Sequence, residues 1–360
     1  MATIVEVTAD PLDLELNEPF GIATGAQELA RNVVCRLRAS DGTIGLGEAA
    51  PFPAVNGETQ EQALTALRAA AGDLSGLSLT SWRASAERAR ELLAHTPSAL
   101  CAFETALLDA YCRRAGLSLL SFFGARESAL VTDITITTGD AAAARTAATR
   151  AREAGFGVLK VKVGGAPREL DLERLRAVAE AAPAAELLLD GNAAFSAAEA
   201  LALLSELGPV RERVRLFEQP TATEDLEGLC DVGRHGRVSV AADESARSRS
   251  DVARLCALGA VDTVNVKITK SGIVETLDMI GCARSHGVSL MVGGMVESRL
   301  CMGTSACLAA GIGGFRFVDL DTPLFLRDDP WSGGYAQRGP RLELAQIHLG
   351  HGIQPKTSAR

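Results

Sequence analysis

Five charged residues recur at a near-constant interval. Lys162, Asp190, Glu218, Asp243 and Lys267 are separated by 28, 28, 25 and 24 residues, and each closes a short apolar run. The middle three are carboxylates. Held close together, three carboxylates repel one another strongly unless a cation sits among them. Ligation by oxygen alone suits Mg²⁺ or Mn²⁺ rather than Zn²⁺. A single aspartate before a helix is read as an N-cap. Three on successive runs, with Asn192 and Gln219 beside them, read as a metal site. Lys160 and Lys162 lie two apart in Val158-Leu159-Lys160-Val161-Lys162-Val163, so in a strand they share a face. Alone, that pair describes a solvated edge strand. Beside a metal, Lys160 and the ion together favour the neutral form of Lys162, which makes it a base. With Lys267 beyond the carboxylates, the set suits removal of a proton α to a carboxylate, the metal stabilising the enediolate.

The elements that must position these residues follow from the same spacing. An interval of about 25 residues is one strand, one helix and two short loops. The strand series begins with Val131 to Thr135 and continues with Val158 to Val163, Leu187 to Asp190 and Val214 to Glu218. Val238 to Asp243, Val261 to Lys267, Val288 to Val292 and Phe315 to Asp319 complete it. Stretches rich in Ala, Leu, Glu and Arg, such as Ala141 to Ala154 and Asp171 to Ala181, read as the intervening helices. Eight such units predict an α/β fold, a (β/α)8-type, TIM-like barrel over residues 126–330, with its site at the C-terminal strand ends. The second and sixth strands are then opposite, and Lys162 faces Lys267 across the mouth. Asp262, early in the sixth strand, carries no functional reading.

Residues 1–125 have a different pattern, strands followed by helices, and predict an α+β capping domain. Thr3 to Thr8, Asn32 to Ala39 and Gly42 to Glu48 read as strands, with a hairpin signal at Asp41-Gly42. Gln60 to Ala71, Ser81 to Ala94 and Ser98 to Arg114 read as helices. Two loops, Glu18 to Gly25 and Ala50 to Gly57, place phenylalanine among Pro and Gly and suit lids over the barrel mouth. The tail, 331–360, with an alternating stretch from Pro340 to Leu344, is expected to pack back on the capping domain.

Composition narrows the function classes. Of 360 residues 47% are hydrophobic and 22% charged, as in an ordinary globular chain. A formal charge of -9 argues against a nucleic-acid partner. Eight scattered cysteines without a CxxC pair suit buried thiols in a reducing compartment. No signal peptide and no apolar stretch of membrane-spanning length is read, so a cytoplasmic protein is expected. A homo-oligomer acting on a small-molecule substrate is expected, with no membrane partner.

Taken together, Lys160-Val161-Lys162, Asp190-Gly191-Asn192, Glu218-Gln219-Pro220, Asp243-Glu244-Ser245 and Lys267 resemble the enolase superfamily, in its muconate-lactonizing subgroup. Superfamily sites with a Lys or His base and Mg²⁺ are a known pattern. The resemblance covers nearly the whole chain and implies a Mg²⁺ enzyme that abstracts an α-proton. Val318-Asp319-Leu320-Asp321 resembles the signature of dipeptide epimerases, which implies that Asp319 and Asp321 bind the substrate's free ammonium. Alternation places both carboxylates on one face, as that role requires; the plain alternative is a pair of caps before Thr322-Pro323. The resemblance also implies that Met295 and Glu297, after the seventh strand, lie near substrate. Lys160, Thr135 and Thr24 are placed with them as substrate-binding residues. In Ala-Glu epimerases of the family an arginine on the first lid pairs with the substrate glutamate. Here Ile22-Ala23-Thr24-Gly25 has none, and Phe20, Ile22, Phe52 and Val55 suit an apolar side chain. The expected reaction is epimerisation of the C-terminal residue of an L,L-dipeptide, with Lys162 and Lys267 as bases. An N-acylamino acid racemase or o-succinylbenzoate synthase is the second enzyme reading. A non-catalytic barrel binding metal and peptide is the reading from another class.

Overall fold

The structure, a computed structural model, describes residues 2–356. The last four residues of the expected tail, 357–360, lie outside the described residues.

Three antiparallel strands open the chain: β1 (Ile4–Ile22), β2 (Gly25–Ala39) and β3 (Ile44–Ala49). Alternation decides which face is covered. Cys35, Leu37 and Ala39 are buried, while Arg36 and Arg38 between them are exposed. The helices α1 (Pro53–Asn56), α2 (Gln60–Leu74), α3 (Trp82–Leu92), α4 (Pro97–Ala115) and α5 (Leu119–Phe122) follow. The start of α2 is closed by a capping box between Thr59 and Gln62. α4 lies on the sheet so tightly that a Cβ at Gly45 or Gly47 would stand 1.9 Å from Ala106 O or 2.0 Å from Ala102 O. The first lid differs from expectation. Glu18 to Gly25 is not a free loop but the end of the β1–β2 hairpin, with Phe20, Gly21 and Ile22 paired to Gln27, Ala26 and Gly25. Pro19 is tolerated because the ladder is interrupted by a register shift between Glu15 and Phe20.

After β4 (Ala129–Val131) the barrel alternates strand and helix: β5 (Ile134–Ile136), α6 (Ala141–Glu153), β6 (Val158–Lys162), α7 (Arg168–Ala181), β7 (Glu186–Asp190), α8 (Ala197–Glu206), β8 (Val214–Glu218) and α9 (Leu226–Gly236). The second half is β9 (Ser239–Ala242), α10 (Arg249–Leu258), β10 (Thr263–Val266), α11 (Ile268–Ser285), β11 (Ser289–Val292), α12 (Arg299–Ile312) and β12 (Phe317–Val318). β5 to β12 form one eight-stranded parallel sheet in sequence order. The Asp133 N–H donates to Val318 O at 2.9 Å and closes the ring. The fold is the expected capped (β/α)8-type barrel.

One strand is misplaced by the sequence reading. The run expected at Val131 to Thr135 is divided: β4 leaves the barrel and pairs antiparallel with β15 (Arg341–Glu343), and the barrel strand starts at Ile134. Leu130 and Leu342, opposite one another and both buried, provide the reason. β15 also pairs with β14 (Ala336–Arg338), and β13 (Trp331–Gly333) pairs with β16 (Ile353–Pro355). Near the end of the tail, the His351 N–H donates to Asp109 of α4, and the Arg113 guanidinium donates to Ile353 O. All eight cysteines are free and six are buried. No helix among the described residues is long and apolar enough to cross a membrane.

Two buried carboxylates tie the opening strands and helices to the barrel. Glu48 of β3 accepts from the Ser298 N–H (2.9 Å), the Ser298 hydroxyl (2.5 Å) and the Cys301 N–H (3.1 Å) at the start of α12. Glu104 of α4 accepts the Ile273 and Val274 N–H groups just past Gly272, whose φ of 77° breaks α11. Each supplies acceptors to backbone N–H groups that have no carbonyl partner in the preceding turn.

Candidate active site

The barrel interior is layered by strand parity. Leu188, Leu216, Ala241 and Met291 pack together inside. Two residues further along β7, β8 and β9 the same parity presents Asp190, Glu218 and Asp243 at the C-terminal ends. On β6 it presents Lys160 and then Lys162, and after β10 it presents Lys267. All six are buried. Asp190 and Glu218 are register partners on adjacent strands.

Lysines and carboxylates interlock here. Lys160 Nζ stands 2.9 Å from Asp190, 2.8 Å from Glu218 and 2.7 Å from Asp319. Lys162 Nζ lies 2.6 Å from Asp190 Oδ2. Across the barrel Lys267 Nζ lies 2.7 Å from Asp243 Oδ2. Burial alone would raise the Asp190 carboxyl, but Lys160 and Lys162 outweigh it and hold the group well below the usual range. Asp243 is held down likewise by Lys267 and Lys270 against its burial. Glu218 goes the other way: burial, then the Asp190 charge, push it up to about 7. Lys267 is buried, yet Asp243 and Glu218 keep its ammonium above the ordinary lysine range.

Around the strand ends as a whole, buried acidic groups outnumber buried basic ones. Seven buried carboxyl groups (Asp133, Asp190, Glu218, Asp243, Glu244, Asp319, Asp321) face four buried lysines (160, 162, 267, 270). Glu218 Oε2 accepts no hydrogen bond of good geometry. An oxygen-only donor set with surplus negative charge fits a hard divalent cation. Among the described residues, however, the carboxylates whose oxygens lie mutually within 4.8 Å are Asp133, Asp319 and Asp321. Asp190, Glu218 and Asp243 are drawn to the lysines instead.

Backbone strain and a side-chain latch hold the strand ends. Asn192, Ala193 and Gln219 have φ of 41°, 61° and 33°, an uncommon region for residues with a Cβ. The Gln219 carbonyl accepts the Asp243 N–H (2.9 Å) and the Ser245 N–H (3.1 Å), and its amide donates to Ser245 Oγ (2.8 Å). Asn192 donates to Glu244 at 3.2 Å.

Of these groups Asn192 reaches a cavity of about 30 Å³ whose roof is Phe20, Ile22, Phe52, Val55, Met295 and Val296. Thr135, Lys160, Lys162, Asn192, Lys267, Asp319 and Asp321 are on its wall. The roof packs as its own apolar cluster, with Phe20 edge-on to Phe325 at 5.2 Å. The lid end rests on the rim: the Thr138 N–H donates to Gly21 O, and Gly165 lies against the Ala23 backbone. Asp171 fixes that rim from below by accepting the Gly164 N–H at 2.8 Å. Arg31 is exposed and stands opposite Asp13, away from this cavity.

Two expected substrate-binding residues are placed elsewhere. The Thr24 hydroxyl donates to Ala54 O, joining the two lids, and does not line the cavity. Glu297 is buried and accepts the Met295 N–H (2.8 Å) and the Thr269 hydroxyl (3.3 Å), so it shapes the Met295 loop from behind. Asp262 accepts the Val240 N–H at 3.0 Å and joins β9 to β10. Four buried residues were missed. Lys270 bonds Asp243 Oδ1 at 2.6 Å, one helical turn after Lys267, a Lys-x-x-Lys spacing legible in the sequence. Asn265, two before Lys267, donates to Glu218 Oε1 at 2.7 Å. Glu244 follows Asp243 directly and is pushed up to about 7 by burial and then by Asp243. Asp133 shares the parity of Thr135, a signal the sequence contains.

Comparison with known proteins agrees with this geometry. Residues 4–124 match the family model described as mandelate racemase / muconate lactonizing enzyme, N-terminal domain, and residues 142–359 match enolase C-terminal domain-like. The chain is 44% identical over 351 residues to the aromatic dipeptide epimerase of Herpetosiphon aurantiacus, covering 98% of each chain. It is 40% identical to the L-Ala-D/L-amino acid epimerase of Populus trichocarpa, over 94% of this chain and 82% of that one. The crystal structure of the Enterococcus faecalis dipeptide epimerase with Mg and L-Leu-L-Tyr superposes with a TM-score of 0.93 at 30% identity, covering 98% of this chain and 99% of that one.

Proposed function

The chain belongs to the enolase superfamily, in the mandelate racemase / muconate lactonizing enzyme family, and from that premise we propose that this isomerase is a dipeptide epimerase. It inverts the α-carbon of the C-terminal residue of an L,L-dipeptide. The observation that carries the reading is the wall of one cavity: Lys162 and Lys267 on opposed strands, with Asp319 and Asp321 beside them.

Asp319 and Asp321 receive the substrate ammonium. An acylated amine would leave both carboxylates facing an uncharged group, which disfavours the N-acylamino acid racemase reading. Lys162 and Lys267 reach the α-carbon from opposite faces, one taking the proton and the other returning it. The lysine that takes the proton must be neutral while the other keeps its own to return it; in the state described the ion pair with Asp243 favours the charged form of Lys267. Asp190, Glu218 and Asp243 are the residues that would hold Mg²⁺, or Mn²⁺. Such an ion supplies the positive charge that stabilises an enediolate. Lys160, bridging Asp190, Glu218 and Asp319, couples the metal carboxylates to the amine carboxylates. The apolar roof and the absence of a lid arginine favour an apolar or aromatic C-terminal side chain; Ala-Glu is expected to be poor. The name of the Herpetosiphon relative supports this preference.

A cavity of about 30 Å³ holds roughly one water, so the lids must part for a dipeptide to enter. Residues 1–125 act as the cap, 126–330 carry the chemistry, and the tail closes the assembly. We place the enzyme in the cytoplasm, as a homo-oligomer whose partners are small molecules rather than nucleic acid.

The test is epimerisation of L-Ala-L-Phe with Mg²⁺, followed by proton NMR in D₂O, against its N-acetyl counterpart. Free dipeptide should be converted far faster. Equal rates would sink the dipeptide assignment. No exchange with either would favour a binding barrel.

A further inference from the structure

Asp133 is the charged residue for which the mechanism has no use. It is 2% exposed, and neither side-chain oxygen has a hydrogen-bond partner. Its oxygens lie within 4.8 Å of those of Asp319 and Asp321, on the seam where β5 meets β12. It does not line the cavity.

We propose that Asp133 is a protonated carboxylic acid that donates its O–H to Asp319, fixing the pair of carboxylates that receives the substrate ammonium. The proposal rests on the amine subsite assigned above and adds a positioning residue behind it.

The partners of the three groups decide where the proton resides. Asp319 Oδ2 is held by the Lys160 ammonium at 2.7 Å. Asp321 Oδ2 accepts the Thr135 N–H at 2.6 Å. Asp133 receives no donor, so ionising it leaves a bare buried charge. One proton on Asp133 removes that charge and converts a repulsion into a hydrogen bond to an ionised acceptor. Burial, then the charges of Asp319 and Asp321, hold Asp133 well above the usual carboxylate range. Lys160 is shared with Asp190 and Glu218, so it offsets only part of the charge on Asp319 and Asp321, and a third ionised carboxyl at Asp133 would add to the surplus.

The spectroscopic test is infrared. At neutral pH the carbonyl band of a protonated, buried carboxyl should be present and should disappear in Asp133→Asn. A spectrum in which that substitution removes only a carboxylate band overturns the proposal.

Kinetics separate positioning from scaffolding. Asp133→Leu should raise KM for L-Ala-L-Phe by about 10- to 100-fold, the value of one hydrogen bond to a charged group, with a smaller change in kcat. The preference for free over N-acetyl dipeptide should narrow in parallel. Asn, a neutral donor of the same shape, should recover most of that loss. A purely structural role would lower activity on both substrates together and leave the preference intact, which would also overturn the proposal. If Leu does not fold, Asn and the infrared band decide. If the unsubstituted enzyme fails to prefer the free amine, the subsite reading falls, and the infrared result still tests the proton on Asp133.

Discussion

Gly165→Ala tests whether the lid must seat on the barrel rim for catalysis. Gly165 has φ 73°, and a Cβ there would lie 2.3 Å from Ala23 O, 2.9 Å from Ala23 Cα and 3.0 Å from Ala23 C. These are backbone atoms and cannot rotate away. An ordinary carbon–oxygen approach is about 3.3–3.6 Å, so the lid tip must retreat by roughly 1 Å. Phe20 and Ile22, on the same hairpin, form part of the cavity roof. A misplacement of that size at a substrate-positioning element costs on the order of 10²-fold in rate. The left-handed backbone adds a cost to stability of roughly 1–2 kcal/mol for alanine. Gly208 separates the two effects. Its φ is 58°, and nothing lies within 4 Å of a Cβ there. Gly208→Ala should lose comparable stability in a thermal melt and keep its activity, whereas Gly165→Ala should lose kcat/KM by about 10²-fold. A Gly165→Ala enzyme within threefold of the unsubstituted rate would refute the seating argument. So would equal kinetic losses in the two variants, because strain alone would then account for both.

Lys162→Ala and Lys267→Ala should each stop epimerisation, while each keeps slowed α-proton exchange in D₂O with the epimer that faces the remaining lysine; comparable exchange of both epimers by one variant would mean a single base. Glu218→Gln should retain the fold by circular dichroism, bind Mg²⁺ more weakly by calorimetry and lose turnover by at least about 10²- to 10³-fold; near-normal turnover would remove Glu218 from the metal site. Burial raises the Glu104 carboxyl from 4.5 to about 7 in the folded chain, so the native state binds the extra proton and this group's contribution to stability falls as pH rises through that window. The contribution is on the order of 3 kcal/mol, and Glu104→Gln should flatten that part of the pH profile in urea melts; an unchanged slope would mean that Glu104 is not the group responsible.

The barrel was legible because its repeat is covalent spacing: five successive strand-helix units each bring a charged residue to the same rim. The residues that sequence missed sit off that rhythm. Lys270 lies on the first turn of a helix rather than on a strand end, so a strand-by-strand reading passes over it. Asp133 precedes its short barrel strand, where no strand-end rhythm marks it, and its parity with Thr135 is the one local signal. The division of Val131 to Thr135 into two segments depends on Leu342, more than 200 residues later, a pairing that no local pattern contains. The lid was called a loop because Pro19, Gly21 and Gly25 are breakers; a register shift absorbs the proline and the ladder resumes. The side chains of Thr24 and Glu297 turn to partners that sequence does not name: Ala54 O for Thr24, the Met295 N–H and Thr269 hydroxyl for Glu297.

Glu48 and Glu104 have a consequence for how such a chain can be altered. Much of the cavity roof comes from the hairpin and loop of the first third, which invites exchange of that third between relatives with different substrates. The barrel, however, does not own the groups that finish two of its helices: the start of α12 and the break in α11 borrow them from β3 and α4. A transplanted cap that lacks either carboxylate would bring the new lids and leave several buried amides bare under the site. The unit that can be inherited or engineered intact is therefore not the visible module but the module together with its two carboxylates, and a boundary near residue 125 marks a change of pattern rather than a place to cut.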